Sequence, residues 1–590
     1  MIGPDILLLL LWSLRELPAA DPGAAEPPAA ELADEIVVTA TGTEERLGET
    51  AAAVTVLTEE ELATSPAVTL DETLRQVPGF TLFRRSGSRT SNPTTHGASL
   101  RGIGGSGAGR ALVLADGVPL GDPFGGWVPW GLVPAAALER VEVLEGGASD
   151  LYGTAALAGV VQLLRRRPAA GGVVADVSAG EQGTAAGSAW AAHEGGAWAA
   201  AVAAQGFTSD GHVQVAPEDR GPVDVPAGGA HGSFEATVER LPADGRARPH
   251  LWLRAGLFDE ERDNGTPLQE NSRRIRHGAA GADRRLAGGT LAGRAWASEH
   301  DLHQTFSAVA GDRASERLVR EQRVPSERLG GSARWTGPLG AGHTLVAGLE
   351  AGRSEGVSDE TIFLEDRTIG TEAGGAQDEA ALYLEDLFTP ARNVSVAASL
   401  RYDRWENRPA APVEGPPRSE SAWSPRLALR WQPRPAWGLT AAAYRSFRAP
   451  TLNELYRGFR VGDVVTDPNP ALEAERLSGA EAGAVWTPAP GGAAGRRELR
   501  LRASLFWMRL DDPVANVTLS AGPDLILRQR RNLGRTRSRG AELEARARLG
   551  PRWLLSGGYL LADAEVESYP ADPSLEGLDV PQVPEHQASL

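Results

Sequence analysis

The chain reads Leu112-Val-Leu-Ala-Asp-Gly-Val-Pro119 and then Glu139-Arg-Val-Glu-Val-Leu-Glu-Gly146, and these two stretches constrain its fold most strongly. The first is a short apolar run that ends in Asp-Gly, a dipeptide typical of tight hairpin turns. The second contains the mostly apolar segment Val141 to Leu144, which includes Glu142, and a third such segment, which includes Gln162, follows at Val160 to Leu164. Short apolar runs between turn signals are typical of buried strands. The sequence therefore predicts a small sheet in this region.

Two short helices are predicted ahead of these strands. Thr58-Glu-Glu-Glu61 and Thr69-Leu-Asp-Glu72 each have the spacing of a capping box, in which a threonine and a glutamate satisfy the first free N–H groups of a helix. The second helix is expected to stop at Val77-Pro78-Gly79, because proline and glycine end helices. The first third of the chain thus combines helices and strands.

Further motifs surround these elements in a fixed order. They are Glu35-Ile-Val-Val-Thr-Ala-Thr41, Thr69-Leu-Asp-Glu-Thr-Leu-Arg-Gln-Val-Pro-Gly79, Leu100-Arg-Gly102, Tyr152-Gly153 and Ala158-Gly-Val-Val161. The ordered series resembles the plug domain of TonB-dependent outer-membrane receptors. The resemblance implies active import of a scarce small molecule, such as an iron-siderophore or cobalamin, energised through the periplasmic protein TonB. It implies no enzymatic reaction and no cofactor.

The composition fits an exported protein of more than one domain. With 590 residues the chain is too long for one ordinary core. It has no cysteine, and its net charge of −18 argues against a nucleic-acid partner. The apolar run Ile6 to Leu14 is too short for a membrane helix but suits the core of a signal peptide. We predict a signal peptide at 1–20, a linker at 21–48, a plug domain at 49–168 and a barrel at 169–590.

The region after Pro168 alternates between apolar and polar residues with a period of two. In Val394 to Asp403 and in Leu499 to Met508, apolar side chains occupy one face while charged or small ones occupy the other. The same pattern suits a soluble sandwich, with the apolar face inward, and a membrane barrel, with the apolar face toward lipid. The length of the region and the resemblance favour the barrel. The predicted fold is mostly β, with an α+β plug inside a large antiparallel transmembrane β-barrel of the 22-stranded type, in outer-membrane lipid.

One extended segment is predicted to contact TonB. Such a β-branched segment, lying between a flexible linker and a compact domain, can add as a strand to the edge of a partner's sheet. The alternative is an ordinary first strand of the plug. By resemblance the segment is a TonB box, and its residues are Asp34, Glu35, Ile36, Val37, Val38, Thr39 and Ala40.

Charged residues are expected to join the plug to the barrel wall. In the family, arginines of the plug pair with carboxylates of the wall, and a buried charge requires such a partner. By resemblance Arg101 belongs to this latch, with Glu542 and Glu544 as its wall partners. The chain departs from the family at Glu145, where an arginine is usual, and at Gln162, where asparagine is commoner. The reversed charge at Glu145 puts the usual latch in question.

By resemblance to the family, two plug loops, Phe83 to His96 and Leu120 to Trp130, face outward and form the floor of a ligand site. Arginines there suit carboxylate or phosphate, and aromatic rings suit an apolar or ring-bearing ligand. The alternative for the aromatic residues is that they pack the plug against the wall. The candidate ligand-binding residues are Arg84, Arg85, Asn92, Phe124, Trp127 and Trp130.

A paired motif in the barrel also matches the family. It consists of Tyr444 to Tyr456, read as Tyr-Arg-Ser-Phe-Arg-Ala-Pro-Thr-Leu-Asn-Glu-Leu-Tyr, and of Asp467 to Arg476. Related haem receptors carry a histidine between the two halves. No histidine lies between Pro450 and Asp467 here, which argues against haem. Siderophore, cobalamin, metal chelate and oligosaccharide remain open as ligands. His300 and His303 are expected in a loop and not as metal ligands, and no metal site is predicted.

The last residues, Leu578 to Leu590, resemble a stretch that introduces a strand well before the end of family members. We therefore expect the sequence to be a fragment that lacks the final strands. Two other function classes are weighed against the importer. One is a surface-binding β-protein without transport, and the other is a secreted β-hydrolase, whose mark would be paired carboxylates facing one cleft.

Overall fold

The computed structural model describes residues 37–38, 45–47, 50–83, 87–242, 249–488, 497–523, 525–550 and 552–590. Strands dominate, as the alternating pattern predicts. No helix in these ranges is long and apolar enough to cross a membrane.

The first third folds around a five-stranded sheet of order β3-β8-β9-β6-β7. Strands β6 and β9 run parallel, and the other neighbours run antiparallel. All three predicted runs are confirmed as its strands. The sheet consists of β3 (Val54–Leu57), β6 (Leu112–Ala115), β7 (Val118–Pro119), β8 (Leu138–Glu145) and β9 (Gly159–Arg165).

The helices of this domain are short: α1 (Glu59–Thr64), α2 (Leu70–Leu74) and α3 (Ser149–Tyr152). The capping box of α1 is confirmed, since the Glu61 N–H donates to the Thr58 hydroxyl and the Thr58 N–H donates to the Glu61 carboxylate. The second box is wrong. The Thr69 side chain makes no cap hydrogen bond. Helix α2 instead packs against the rest of the plug through its buried residue Leu74.

A two-residue turn joins β6 to β7 at Asp116-Gly117. Both residues have a positive φ, 48° for Asp116 and 78° for Gly117. Aspartate and glycine tolerate this left-handed backbone, and the turn that they form matches the twist of the two strands. It also aims the Asp116 carboxylate at the barrel wall.

The rest of the chain forms one 18-stranded sheet in which every neighbouring pair is antiparallel. Its order follows the chain, and β10 and β31 are its end strands. The strands are β10 (Gly172–Ala179), β11 (Ala185–Gly195), β12 (Trp198–His212), β13 (Ala227–Arg240), β14 (His250–Asp263), β15 (Glu270–Leu286), β16 (Gly289–Val309), β17 (Glu316–Pro338), β18 (His343–Phe363), β19 (Thr368–Ala391), β20 (Val394–Pro409), β21 (Arg418–Arg434), β22 (Trp437–Arg448), β25 (Glu475–Trp486), β26 (Arg497–Asp511), β29 (Arg535–Leu549), β30 (Leu554–Ser568) and β31 (His586–Ser589).

The two faces of this sheet differ as predicted. Leu400 and Leu501 point outward and are 45% and 37% exposed, whereas their neighbours Arg401 and Arg502 are buried on the plug side. An apolar exterior around a polar interior is the arrangement of an outer-membrane barrel. The prediction of a mostly β fold with an α+β plug and a large antiparallel barrel sheet is confirmed.

Smaller elements lie outside the two sheets. The paired motif of the barrel forms the end of β22, helix α4 (Leu452–Tyr456) and the start of β25. A separate four-stranded sheet is built from β23 (Phe459–Val461), β24 (Val464–Asp467), β27 (Val514–Ala521) and β28 (Ile526–Asn532). Two short pairs complete the fold, β1 (Val37–Val38) with β2 (Glu45–Arg46) and β4 (Thr81–Leu82) with β5 (Ala98–Ser99).

Candidate functional site

Arg101 joins the plug to the barrel wall. It follows β5, has a φ of 51°, and its side chain is completely buried. Its Nε donates to both carboxylate oxygens of Glu542 at 3.0 and 3.1 Å, and Nη2 donates to Glu542 at 2.8 Å. Nη1 donates to Glu481. A non-glycine residue in the left-handed region carries strain, which surrounding contacts must hold. Here those contacts are the carboxylates of the wall.

Glu145, the residue whose charge is reversed relative to the family, has a partner on the wall. Its Oε1 accepts hydrogen bonds from Arg502 Nη2 at 2.9 Å and from the Thr55 hydroxyl at 3.0 Å. The polarity is therefore exchanged: the carboxyl lies on the plug and the guanidinium lies on strand β26. The Glu145 carboxyl and the Arg502 guanidinium thus join plug and wall with the opposite polarity to the one expected by resemblance.

Glu544 contacts Arg502 and not Arg101. Arg502 Nε lies 2.9 Å from Glu544 Oε2, which also accepts a hydrogen bond from Thr55 at 3.2 Å. Of the predicted latch, the structure thus brings Arg101 and Glu542 together directly, while Glu544 joins the same cluster through Arg502.

The latch cluster contains more carboxyl than guanidinium groups. Arg101 and Arg502 face Glu145, Glu481, Glu542 and Glu544. Burial raises the pKa of Glu145 to about 8; Arg502 opposes this rise, and Glu542 adds to it. The raised pKa favours the protonated Glu145 carboxyl, which limits the negative charge of the cluster.

A second buried chain of charges runs from the plug to helix α4. Arg110 of the plug donates to Glu475 through Nη2 at 2.6 Å and Nε at 3.2 Å. Glu475 also accepts from Arg448 Nε at 2.5 Å. Arg448 in turn makes a bidentate pair with Glu454 of α4 at 2.9 and 3.0 Å. The paired barrel motif thus connects the plug with an outer segment of the barrel.

A third cluster fixes the Asp116 turn. Asp116 lies 2.8 Å from Arg165 of the plug and 2.5 Å from Arg254 of the wall. Although burial acts in the opposite direction, Arg254 and Arg165 hold the pKa of Asp116 well below its usual range. Arg165 also reaches Glu235 on β13 at 2.8 Å. These ion pairs join the plug to strands β13 and β14 of the wall, whereas the partners of Arg101 lie on strands β25 and β29.

The three aromatic candidates lie in packed positions. Phe124, Trp127 and Trp130 are 0%, 2% and 6% exposed. Phe124 and Trp127 belong to an apolar cluster that includes Leu452 and Tyr456 of helix α4, and Trp130 meets Phe80 edge to face at 6.1 Å. The Phe124 carbonyl also accepts the Asn453 N–H of α4 at 3.0 Å. The structure therefore matches the alternative in which these rings pack the plug.

Asn92 is half-buried at the plug surface. Its Oδ1 accepts the Thr94 N–H at 2.9 Å and caps the single 3-10 turn Pro93–Thr95. Its Nδ2 lies 3.4 Å from Gln304 Oε1 on the wall. Arg84 and Arg85, the other two predicted ligand contacts, lie outside the described residues.

Only part of the predicted TonB box is described. Val37–Val38 form β1, which pairs with Glu45–Arg46 in a two-stranded sheet separate from the five-stranded plug sheet. The other box residues, Asp34, Glu35, Ile36, Thr39 and Ala40, lie outside the described residues.

The expectation that His300 and His303 lie in a loop is wrong, because both belong to strand β16. Their spacing puts them on opposite faces. His300 is buried 3.4 Å from Asp122 of the plug, whereas His303 is outside and 2.8 Å from Glu321. Within the described ranges no three His, Cys, Asp or Glu side chains are grouped as metal ligands.

Sequence reasoning missed several charged residues of the plug–wall contacts: Arg110, Arg254, Arg448, Glu475, Glu481 and Arg502. The signal that could have found them is the strand period, because Arg502, Glu481 and Arg254 each lie on the inward face of an alternating strand. An inward charge in a barrel needs a partner, so each such position points to a plug contact.

Two family models match the chain. The model of the TonB-dependent receptor plug domain matches residues 46–160, and the model described as TonB dependent receptor-like, beta-barrel, matches residues 227–590. The barrel match alone covers more than half of the chain. The chain belongs to the TonB-dependent receptor family, whose members are outer-membrane receptors and transporters and not enzymes.

Individual proteins of the family share limited sequence identity with this chain. The vitamin B12 transporter BtuB of Vibrio vulnificus is 36% identical over 131 residues, which are 22% of this chain and 20% of that protein. The iron-regulated outer membrane virulence protein of Vibrio cholerae is 24% identical over 435 residues, which are 71% of this chain and 60% of that protein. The chain thus spans less than two thirds of the length of these curated relatives.

Among solved structures, the ferric yersiniabactin uptake receptor FyuA of Yersinia pestis is similar, with a TM-score of 0.68 and 15% identity. The match covers 91% of this chain and 82% of that one. At this identity the likeness establishes the fold. The fold and the family together place this chain in the outer membrane.

Proposed function

We propose that this protein imports a scarce small molecule across the outer membrane with energy supplied through TonB. The observation that carries the proposal is the set of buried charged clusters between plug and wall, headed by Arg101 with Glu542. Such contacts hold a plug in one position. When the plug is pulled, the charged groups can replace these contacts with hydrogen bonds to other polar partners, including water. Import then needs no chemical reaction, only a reversible change of plug position.

We propose that the pulling force enters at Asp34 to Ala40. The short β1 strand pairs outside the main plug sheet, which supports its role as a segment that can pass to a partner's sheet edge. The proposed division is a signal peptide at 1–20, a linker at 21–48, a plug at 49–168 and a barrel at 169–590.

For the ligand we propose an iron-siderophore or cobalamin. Relatives named as a vitamin B12 transporter and as a ferric yersiniabactin uptake receptor support this class. Among the plug residues predicted to contact it, we propose Asn92, Arg84 and Arg85. The buried rings of Phe124 and Trp127 hold the plug loop against helix α4, and Trp130 packs against Phe80 within the plug.

Uptake by whole cells tests the proposal. The full-length protein is expressed in a host without its own receptors, and accumulation of radioactive iron-siderophores and of labelled cobalamin is measured with and without TonB. Import predicts accumulation of one of these ligands that requires TonB. Binding to the cell surface without TonB-dependent accumulation would instead support the surface-binding alternative.

A further inference from the structure

We propose that Arg262, Arg273 and Asn271 form a binding site on the inner barrel wall for an oxyanion, a carboxylate or phosphate-like group. The inference rests on the proposed function for its biological meaning, because a group of this kind on the imported molecule would use the site. The site itself is argued from strands β14 and β15 alone.

The three residues share one face of two paired strands. Arg262 is the cross-strand neighbour of Asn271, and Glu260 is the neighbour of Arg273. Residues two apart on a strand point to the same side, so all four side chains face inward together. Each of the four residues is more than nine-tenths buried.

Arg273 is the decisive residue. It is one of three arginines among the largest fully buried side chains, with Arg101 and Arg448. Those two make close hydrogen bonds to two carboxylates each. Arg273 makes none: all three guanidinium nitrogens are without a hydrogen-bond partner among the described residues, and the nearest carboxylate oxygen, of Glu260, is 4.0 Å away.

The neighbours of Arg273 add further free donors. Arg262 uses Nη2 for Glu260 at 2.6 Å, but its Nε and Nη1 have no partner within the described ranges. Both polar atoms of the Asn271 amide are also unpartnered there. The wall therefore offers several unpartnered N–H donors on neighbouring residues of two strands, and on this face it has two guanidinium groups for one carboxylate.

Carboxylates of the plug lie near this face but are engaged elsewhere. Asp122 accepts the N–H groups of Phe124 and Gly125 at 2.9 and 2.8 Å through one oxygen, while its other oxygen makes no hydrogen bond to the described residues and lies 3.4 Å from His300. Asp71 accepts the Ser88 N–H at 2.7 Å and the Ser88 hydroxyl. A buried guanidinium needs an anionic partner. A bidentate oxyanion matches the planar N–H fork of Arg273 and would supply the missing acceptors.

The test measures thermal unfolding of the purified full-length protein in detergent, at constant ionic strength, after equilibration with inorganic phosphate, citrate or chloride. The expected result is a saturable rise of the unfolding midpoint with phosphate or citrate and none with chloride. A rise with citrate alone would point to an organic carboxylate, as on an imported ligand. An equal rise with phosphate would point to free oxyanions as well.

Two substitutions assign the effect. Arg273→Met is expected to abolish the rise. Arg274→Met is its matched control, because Arg274 is the next residue but points outward to Asp259 at 2.7 Å, and it is expected to keep the rise. If Arg273→Met does not fold, Arg273→Lys is used instead and is expected to weaken binding about tenfold or more, since lysine cannot form a bidentate pair.

The proposal is overturned if the variant at 273 shows the same rise as the wild type, or if the rise follows ionic strength without saturation. This outcome is separable from the import proposal. If phosphate has no effect on unfolding but uptake is intact, only the proposed oxyanion site is refuted. If TonB-dependent uptake is absent but phosphate still raises the unfolding midpoint, only the import proposal is refuted.

Discussion

Arg502 of the barrel wall donates a hydrogen bond to Glu145 of the plug at 2.9 Å, and both side chains are almost completely buried. The resemblance to the family leads us to expect an arginine at position 145. The pair therefore joins plug and wall with the opposite polarity to the expected one.

The first prediction concerns this exchange. Glu145→Arg removes the buried acceptor of the Arg502 and Thr55 hydrogen bonds, so we expect a loss of about 3–5 kcal/mol in the free energy of unfolding of the plug. Glu145→Gln keeps the shape and mimics the protonated carboxyl, so its loss is expected to stay within about 1 kcal/mol. Chemical denaturation at pH 7, followed by tryptophan fluorescence, measures both.

The double variant Glu145→Arg with Arg502→Glu restores the family's polarity. We expect it to recover at least about half of the stability lost by Glu145→Arg, because contacting residues couple by about 0.5–3 kcal/mol. Strictly additive losses in the double-mutant cycle would show that the two side chains do not form one unit.

The second prediction concerns Glu475, which binds Arg110 of the plug and Arg448 of the wall. Glu475→Gln leaves two buried guanidinium groups short of a charge, and we expect a loss of about 3–5 kcal/mol in the free energy of unfolding. Glu473→Gln, two residues earlier and exposed, is the matched control and should change stability by less than about 0.5 kcal/mol. Equal effects of the two variants would contradict the charge chain.

The third prediction concerns the contact between the plug loop and helix α4. Phe124 is fully buried against Leu452 and Leu455. Phe124→Ala removes this packing, for which we expect a cost of about 3–5 kcal/mol. If the ring instead served mainly as a ligand contact, Phe124→Ala would leave stability unchanged and weaken only ligand binding, as a comparison of denaturation with ligand titration would reveal.

The fourth prediction concerns pH. Burial, together with the nearby charge of Arg262, lowers the pKa of His96 in the plug to about 4. The unfolded chain therefore binds a proton at His96 at a higher pH than the folded protein does, so stability falls as pH decreases from about 6.5 to about 4. The expected contribution is as much as about 3 kcal/mol.

His96→Gln is expected to flatten the pH dependence of unfolding in that window while leaving it unchanged above pH 7. Denaturation curves of both proteins across this range give the comparison. A wild type and variant with parallel pH profiles would show that His96 does not titrate as its burial requires.

The strand period predicted which face of each barrel strand points inward. The adjacent pairs Leu400 with Arg401 and Leu501 with Arg502 show that this pattern was sufficient for the fold. The partner of each inward charge was harder to find. Arg502 and Glu145 are separated by 357 positions, and their meeting depends on strand register and on the height of the plug in the barrel. Neither the strand register nor the position of the plug can be read from a local stretch of a single sequence.

The plug loop also shows that sequence alone does not assign the role of individual side chains. The residue types of Phe124 and Trp127 suit both a ligand floor and a packed core. Their burial is decided by helix α4, which the chain supplies from a distant barrel segment, through Leu452 and Tyr456. Local motifs identified the family and the plug, whereas the assignment of individual side chains required the tertiary contacts.

Coupling to TonB is the central claim, and single-cysteine cross-linking tests it most directly. The chain has no native cysteine, so Val37→Cys introduces a unique thiol in the TonB box. Val173→Cys, on the outer face of β10 and 62% exposed, is the control site. The measurement is disulfide formation, in outer-membrane vesicles, with the periplasmic domain of TonB carrying one cysteine. We predict a cross-link at position 37 that is lost when Val38→Pro blocks strand pairing. A cross-link no stronger than that of Val173→Cys, or one unaffected by Val38→Pro, would contradict the account.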